Sequence, residues 1–358
     1  MTALLSVDEG LISLNDGITL SLYSEVILPA EKVASEAGSS VNVMFSRVVG
    51  YLLLYPPSKN ARVVLRNEIE LCKDESDCNQ AIYDLGHMYV THFIQVFFMK
   101  QTKLYTPSED PSPRCYDLLK EHIPDRSETR PRDHSHAKAA ALARDNFRCM
   151  LSGHIYLRSL VEGFIKERQP GKRLVATKCC YIFPESLCQF ESENGKTNTS
   201  KVSTFRAILE RFGYQEVCNN LQLASGTVET TNGHHHLENI MTLTTDLHDK
   251  FDAMDTWLEG IPDKPNQYRV RVAAPVIHSD LDGTPETVKF AIDTSYPLPS
   301  PMYLHIRAAC CSIAHMPGAA EFLHLAHRDM EKLKGLGEDG ASADVLTYAL
   351  LSLEEPTT

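Results

Sequence analysis

Apolar residues recur at helical spacing from Val41 to Tyr55, from Asn60 to Cys72 and from Ala81 to Met99, which predicts three helices with wide buried faces. Ahead of them, Leu11 to Ser24 alternates apolar and polar around Asn15-Asp16-Gly17, the pattern of a short β-hairpin whose turn needs positive φ. The apolar run from His92 to Met99 is too short to span a bilayer and is expected to be a buried helix face. Pro107, Pro111, Pro113, Pro124 and Pro131, set among Ser, Asp and Arg, break the helical period and predict an exposed linker. Beyond it, Ala137 to Asn146 predicts a short alanine-rich helix leading into a turn that ends at Gly153, and the polar stretch 191–200 predicts a mobile inserted loop. Phe251 and Trp257 are expected to anchor a helix in the core. Tyr268 to Ala274 and Thr287 to Ile292 alternate like the two strands of a hairpin, and helical patterns follow over 302–314, 319–335 and 341–353. No internal repeat is visible. The pattern predicts an α+β chain in four parts. An N-terminal hairpin and helical region spans 1–104, a Pro-rich linker 105–136, a central module 137–260, and a C-terminal hairpin with helices 261–358.

Composition narrows this picture. A chain of 358 residues exceeds what one core usually holds, and 43% hydrophobic with 23% charged residues is ordinary for a globular protein. No uncharged apolar stretch is long enough for a membrane span, so no membrane partner is expected. The opening MTALLSVDEGLISLNDG holds three acidic and no basic residues, which predicts neither a secretory signal nor a transit peptide and favours an intracellular location, cytoplasmic or nuclear. Ten cysteines, including the adjacent pairs Cys179-Cys180 and Cys310-Cys311, suit reduced thiols better than a small disulfide framework. The net charge of −12 argues against a general nucleic-acid coat protein. Residues 125–178 run the other way, with twelve Lys or Arg against six Asp or Glu, a local charge of +6. Such a segment is either a solvated surface or a phosphate-binding one. Nothing in the pattern indicates an oligomeric state.

Three short segments carry the candidate chemistry, in a fixed order: Thr177-Lys178-Cys179-Cys180-Tyr181-Ile182-Phe183-Pro184, then Glu238-Asn239-Ile240-Met241-Thr242-Leu243, then Leu247-His248-Asp249-Lys250-Phe251-Asp252. The ordered set resembles the HNH nucleases, the ββα-metal or His-Me finger family, and especially their fungal members. There the first segment carries a histidine, the second an asparagine before an apolar strand, and the third His-x-x-Phe-Asp opening a helix. Arg144-Asp145-x-Phe147-Arg148-Cys149, the Ser152-Gly153 turn and the region from Leu304-His305 to Gly318-Ala319-Ala320-Glu321 extend the likeness over roughly 137–340.

The resemblance implies an HNH-like module in which a small hairpin and a helix grip one divalent ion, Mg, Mn or Zn, for phosphodiester hydrolysis in DNA or RNA. His248 matches the terminal metal-binding histidine, and Asp252, four residues on, falls on the same side of a helix. Cys180 stands where a metal-binding residue is common in some branches. As a thiolate it favours zinc, and otherwise it is a small buried strand residue. Asn239 matches the asparagine that braces the hairpin or orients the catalytic group through its amide, with a plain turn residue as the alternative.

Tyr181 replaces the histidine that acts as general base. An ordinary phenol, titrating near about pH 10, is a poor base at neutral pH. The resemblance therefore leaves two functions open. One is a weakened metal-dependent phosphodiesterase using Tyr181, Asn239 and His248; the other is a non-nuclease descendant that keeps the scaffold for binding or for Tyr181-dependent chemistry. His234, His235 and His236 offer a metal site or a substitute base, or else an exposed loop tip.

Overall fold

In a computed structural model of the chain, the described residues are 3–6, 16–98, 131, 134–184, 187, 196–221, 235–279, 281, 283–291 and 296–332. They form two compact units, one from Met1–Val96, Arg211–Gly213 and Ala309–Thr358, the other from Phe97–Glu210 and Tyr214–Ala308. The fold is α+β. The expected linker over 105–136 lies outside the described residues up to Arg130 and again at Arg132 and Asp133, as does the helix expected over 341–353.

The first unit is helical: α1 Gly17–Leu22, α2 Leu28–Glu36, α3 Ser40–Leu54, α4 Lys59–Asp74, α5 Cys78–Tyr89 and the start of α6 Gln95–Phe98, whose Phe97 and Phe98 belong to the second unit, with π-turns at Tyr23–Ile27 and Val90–Ile94. The three helices predicted by periodicity are α3, α4 and the α5 to α6 run. Ser39, Ser58 and Asp77 start α3, α4 and α5 by accepting backbone N–H groups that an α-helix leaves unpaired at its first turn. Leu65 and Ile69 of α4, with Ala61 one turn earlier, bury one face at i, i+4 spacing.

The hairpin expected over 11–24 is corrected. Leu11 to Asn15 lie outside the described residues, while Gly17–Leu22 is helical. Asp16 is its N-cap instead of a hairpin turn residue, accepting from Ile18 N at 3.2 Å and Thr19 Oγ1 at 2.8 Å, with Arg66 at 2.7 Å on the same carboxylate. Capping satisfies the first helical N–H groups locally, and that outweighs a weak two-residue alternation.

The second unit carries α7 His134–Arg144, α8 Leu157–Val161, α9 Lys196–Arg211, α10 Gln215–Asn220, α11 Thr245–Asp252, α12 Pro275–Ser279 and α13 Pro301–His315, except that Arg211 of α9 and residues 309–315 of α13 are counted with the first unit. Helix α14, Ala319–Lys332, belongs to the first unit. Strands β1 Ile155–Tyr156 and β2 Leu174–Val175 pair in parallel, and β3 Thr177–Tyr181 pairs antiparallel with β4 Ile240–Thr244 in the register Tyr181↔Ile240 to Thr177↔Thr244. Strands β5 Thr256–Gly260, β6 Gln267–Val272 and β7 Thr287–Lys289 form an antiparallel sheet.

Three expectations change here. The C-terminal hairpin is the β6–β7 half of a three-stranded sheet, and Trp257 lies on β5 instead of anchoring a helix. The polar stretch read as a loop over 191–200 is helical from Lys196 on, because Val202, Phe205, Ile208 and Leu209 bury a 3.6-period face and carry the polar first turn with them.

The β3–β4 pair lies between two helices. Ala137 and Ala141 of α7 pack on Cys179, Tyr181 and Ile240, while α11, with Leu247 and Phe251 buried, covers the other face. Small alanine side chains let α7 approach one face of the pair closely. Arg144 and Asp145 fix the end of α7: they pair at 2.7 Å with both side chains buried, Asp145 accepts from Thr242 N at 3.1 Å, and Arg144 donates to the carbonyls of Leu237 and Ile240 at 2.7 and 2.8 Å. No helix among the described residues is long and apolar enough to cross a membrane.

Candidate metal centre

Strand β3, strand β4 and helix α11 form a ββα unit, and the sequence-selected residues sit on it in three different ways. Asn239, fully buried at the head of β4, accepts from Phe183 N at 2.8 Å through Oδ1 and donates to Phe183 O at 3.1 Å through Nδ2. With Ile182 N donating to Asn239 O at 2.8 Å, it continues the strand pairing past the last residue of β3. Asn239 is therefore a brace, and its amide both donates to and accepts from the backbone of one residue.

Cys180, His248 and Asp252 are brought together, with one ligand atom from each lying within 4.8 Å of the others. The strand period turns Cys180 toward α11, where positions 248 and 252 are one helical turn apart. His248 Nδ1 is 3.5 Å from Asp252 and 3.3 Å from Asp249, whose carboxylate also takes Lys178 Nζ at 3.1 Å. Burial pushes the Cys180 thiol well above its ordinary pKa and the nearby Asp252 carboxylate adds to this, against the opposing charge of Arg307. The thiol is thus protonated, and a bound cation has to displace that proton. One sulfur, one nitrogen and one carboxylate oxygen fit a borderline ion such as Zn²⁺ with an open fourth position better than Mg²⁺, which prefers oxygen ligands in an octahedron.

Tyr181 does not join this cluster. It stands with Cys179 on the α7 face of β3, whereas Cys180 faces α11, because neighbouring strand residues point to opposite faces. Its hydroxyl lies 2.8 Å from Nδ1 of His235 and 3.1 Å from Nδ1 of His134. His235 and His236 are buried, so the described part of the histidine run is not an exposed loop tip; His234 lies outside the described residues.

Two further residues escape a reading of sequence alone. His134 starts α7, 47 residues before its partner Tyr181. Arg307 is buried, stacks over the Phe251 ring at 4.0 Å, and donates to Ile182 O at 2.9 Å and to Phe251 O. It thereby joins the chain just beyond β3 to the end of α11, the two elements that carry the cluster. An arginine surrounded by apolar residues in sequence carries no mark of burial, and only its hydrogen bonds reveal its role.

The basic segment is thinner than its count. Arg144 is held inside, Lys172 donates to Ser152 O at 2.6 Å, and Lys178 is paired with Asp249. Lys166, Arg168 and Arg173 are exposed, and Arg126, Arg130 and Arg132 lie outside the described residues. Compared with protein-family models, with curated protein sequences and with solved structures, the chain matches none of them.

Proposed function

We propose that the chain is an HNH-like, metal-dependent phosphodiesterase acting on nucleic acid, with its ion held by Cys180, His248 and Asp252. The observation that carries this reading is the convergence of thiol, imidazole and carboxylate on the α11 face of a ββα unit whose hairpin is pinned by Asn239. When bound, a divalent ion neutralises charge on a phosphate and on its leaving oxygen. Of the chain's own groups, His248 and Asp252 supply ligands from one helix, Cys180 supplies one from the strand, and Asn239 with Arg307 fixes the strand and helix ends so that the three stay within reach. Tyr181, at the position of the family's general base, sits on the α7 face of the same strand, turned away from these three ligands.

A second reading is a scaffold that binds without cleaving, and it is favoured by the burial of Tyr181, 3% exposed, together with the net charge of −12. Elemental analysis and cleavage of plasmid and single-stranded DNA with Zn²⁺, Mn²⁺ and Mg²⁺ separate the two. Under the phosphodiesterase reading the wild-type protein carries about one ion per chain and cleaves, and His248→Ala loses both properties. Equal trace metal in wild type and His248→Ala ends the metal-centre reading. A metal-loaded, folded wild type without cleavage leaves the binding scaffold.

A further inference from the structure

Lys178 and Cys180 stand two residues apart on β3 and so share the face turned toward α11, where Lys178 Nζ donates to Asp249 at 3.1 Å. The oxygen it meets, Oδ1, also lies 3.3 Å from Nδ1 of His248. One carboxylate oxygen thus separates the ammonium from the imidazole of the metal cluster. Exposure rises outward from the thiol: Cys180 is fully buried, the His248 side chain is 12% exposed, and those of Asp252, Lys178 and Asp249 are 34%, 36% and 62% exposed. The solvent-facing edge of the cluster is therefore made of one ammonium and two carboxylates. A divalent ion held by the Cys180 thiolate and the Asp252 carboxylate is neutralised by its own ligands, and Asp249 adds a negative charge beside it. Arg307 is also near Cys180, but it is buried and donates to Ile182 O and Phe251 O, so its charge acts from inside. On the exposed edge, the cation that pairs is Lys178.

We propose that Lys178 is the phosphate-binding residue of this centre, an ammonium that Asp249 holds until a phosphodiester reaches the ion and that then engages a non-bridging oxygen of the phosphate. The assignment rests on the phosphodiesterase reading. Lysine suits the exchange, because its compact charge sits on a flexible stem with three donors, so that one hydrogen bond can stay on Asp249 while another turns to the phosphate. Without this ammonium, an ion cancelled by its ligands and flanked by Asp249 offers a phosphate no net attraction at the exposed edge. With it, positive charge stands beside the oxygens that carry negative charge as the P–O bond breaks. Since the ammonium is already paired, engaging a phosphate exchanges one anion for another and adds little to the salt dependence of binding.

The test measures zinc content, calorimetric binding of inorganic phosphate and plasmid cleavage for the full-length, zinc-loaded wild type, Lys178→Ala and Lys178→Arg. Lys178→Ala is expected to hold as much zinc as wild type, to bind phosphate roughly tenfold or more weakly and to cleave more slowly, as loss of a hydrogen bond to a charged group implies. Lys178→Arg is expected to recover most of both losses. A half-exposed ion pair adds little to stability, so Lys178→Ala should fold. If it does not, Lys178→Gln, which keeps the stem without the charge, must show the same loss at the wild-type melting temperature. Phosphate affinity unchanged in Lys178→Ala, a loss of zinc together with phosphate, or a loss that Lys178→Arg leaves untouched overturns the assignment while the phosphodiesterase reading stands. A zinc-loaded wild type that binds phosphate through Lys178 and does not cleave ends the phosphodiesterase reading, and Lys178 is then the anion contact of the binding scaffold.

Discussion

Asn239 shows how one side chain can hold a hairpin in place without belonging to the Cys180–His248–Asp252 cluster. Both of its amide atoms are spent on the peptide groups of Phe183. Asn239→Ala leaves a buried N–H and a buried C=O without partners, at about 1–3 kcal/mol for each. Asn239→Asp keeps the acceptor but sets a carboxylate against Phe183 O and should also destabilise. Urea unfolding measures both; an alanine variant within about 0.5 kcal/mol of wild type, the range of ordinary surface changes, would remove Asn239 from the role of brace. Cys180 tests the metal preference at the same scale. Cys180→Ser should weaken Zn²⁺ binding and leave Mn²⁺ and Mg²⁺ binding little changed, because only the soft ion gains from sulfur. Titration calorimetry showing equal losses for all three ions would mean that the thiol is only a packed strand residue. Cys180, His248 and Asp252 were legible as a group, Cys180 through the family resemblance and His248 with Asp252 through helical spacing. His134 was not, since nothing in the pattern links the start of α7 to a tyrosine on β3.

Among the elements, α11 holds two of the three candidate ligands and depends on a single cap. Thr244 ends β4 and accepts from Leu247 N at 3.4 Å, so one residue closes the strand and opens the helix. Thr244→Ala should lower stability by about 1 kcal/mol, and Thr244→Ser should restore most of it. If α11 is the platform of the metal centre, the alanine variant also binds Zn²⁺ more weakly in calorimetry than Thr244→Ser does. Equal affinities would show that the helix end is held by packing of Leu247 and Phe251 alone.

Long amphipathic helices such as α3 and α4 could be read from sequence because a 3.6-residue period repeated over four turns leaves little room for a strand. Short elements could not. In α1 a capping aspartate overrode the apolar–polar alternation, and β5 was passed over because Trp257 suits either a helix or a strand. The first turn of α9 was read as a loop because its polar residues say nothing of the apolar face that follows.

At the scale of the whole molecule the question is how an acidic chain would meet a polyanion. The count of +6 over residues 125–178 suggested a broad basic surface, yet Arg144 spends its charge inside the second unit and Lys178 meets Asp249. Sequence counts charges but not their partners, and this part of the chain illustrates the difference. Of the described cations in that segment, Lys166, Arg168 and Arg173 are exposed on the stretch between α8 and β3. Each phosphate neutralised in a duplex contributes roughly 0.9 to the slope of log affinity against log salt, so these three account for a slope of at most about 3. Fluorescence anisotropy with labelled duplex across a salt series should therefore show a modest dependence. The triple reversal Lys166→Glu, Arg168→Glu and Arg173→Glu should abolish it while leaving Zn²⁺ binding intact, because none of the three belongs to the metal cluster. A wild-type slope of 6 or more, unchanged by the triple reversal, would place the nucleic-acid surface on other residues. A slope near zero with intact metal binding would instead turn the argument toward the scaffold that binds without cleaving, since a net charge of −12 repels a polyanion unless a local surface offsets it.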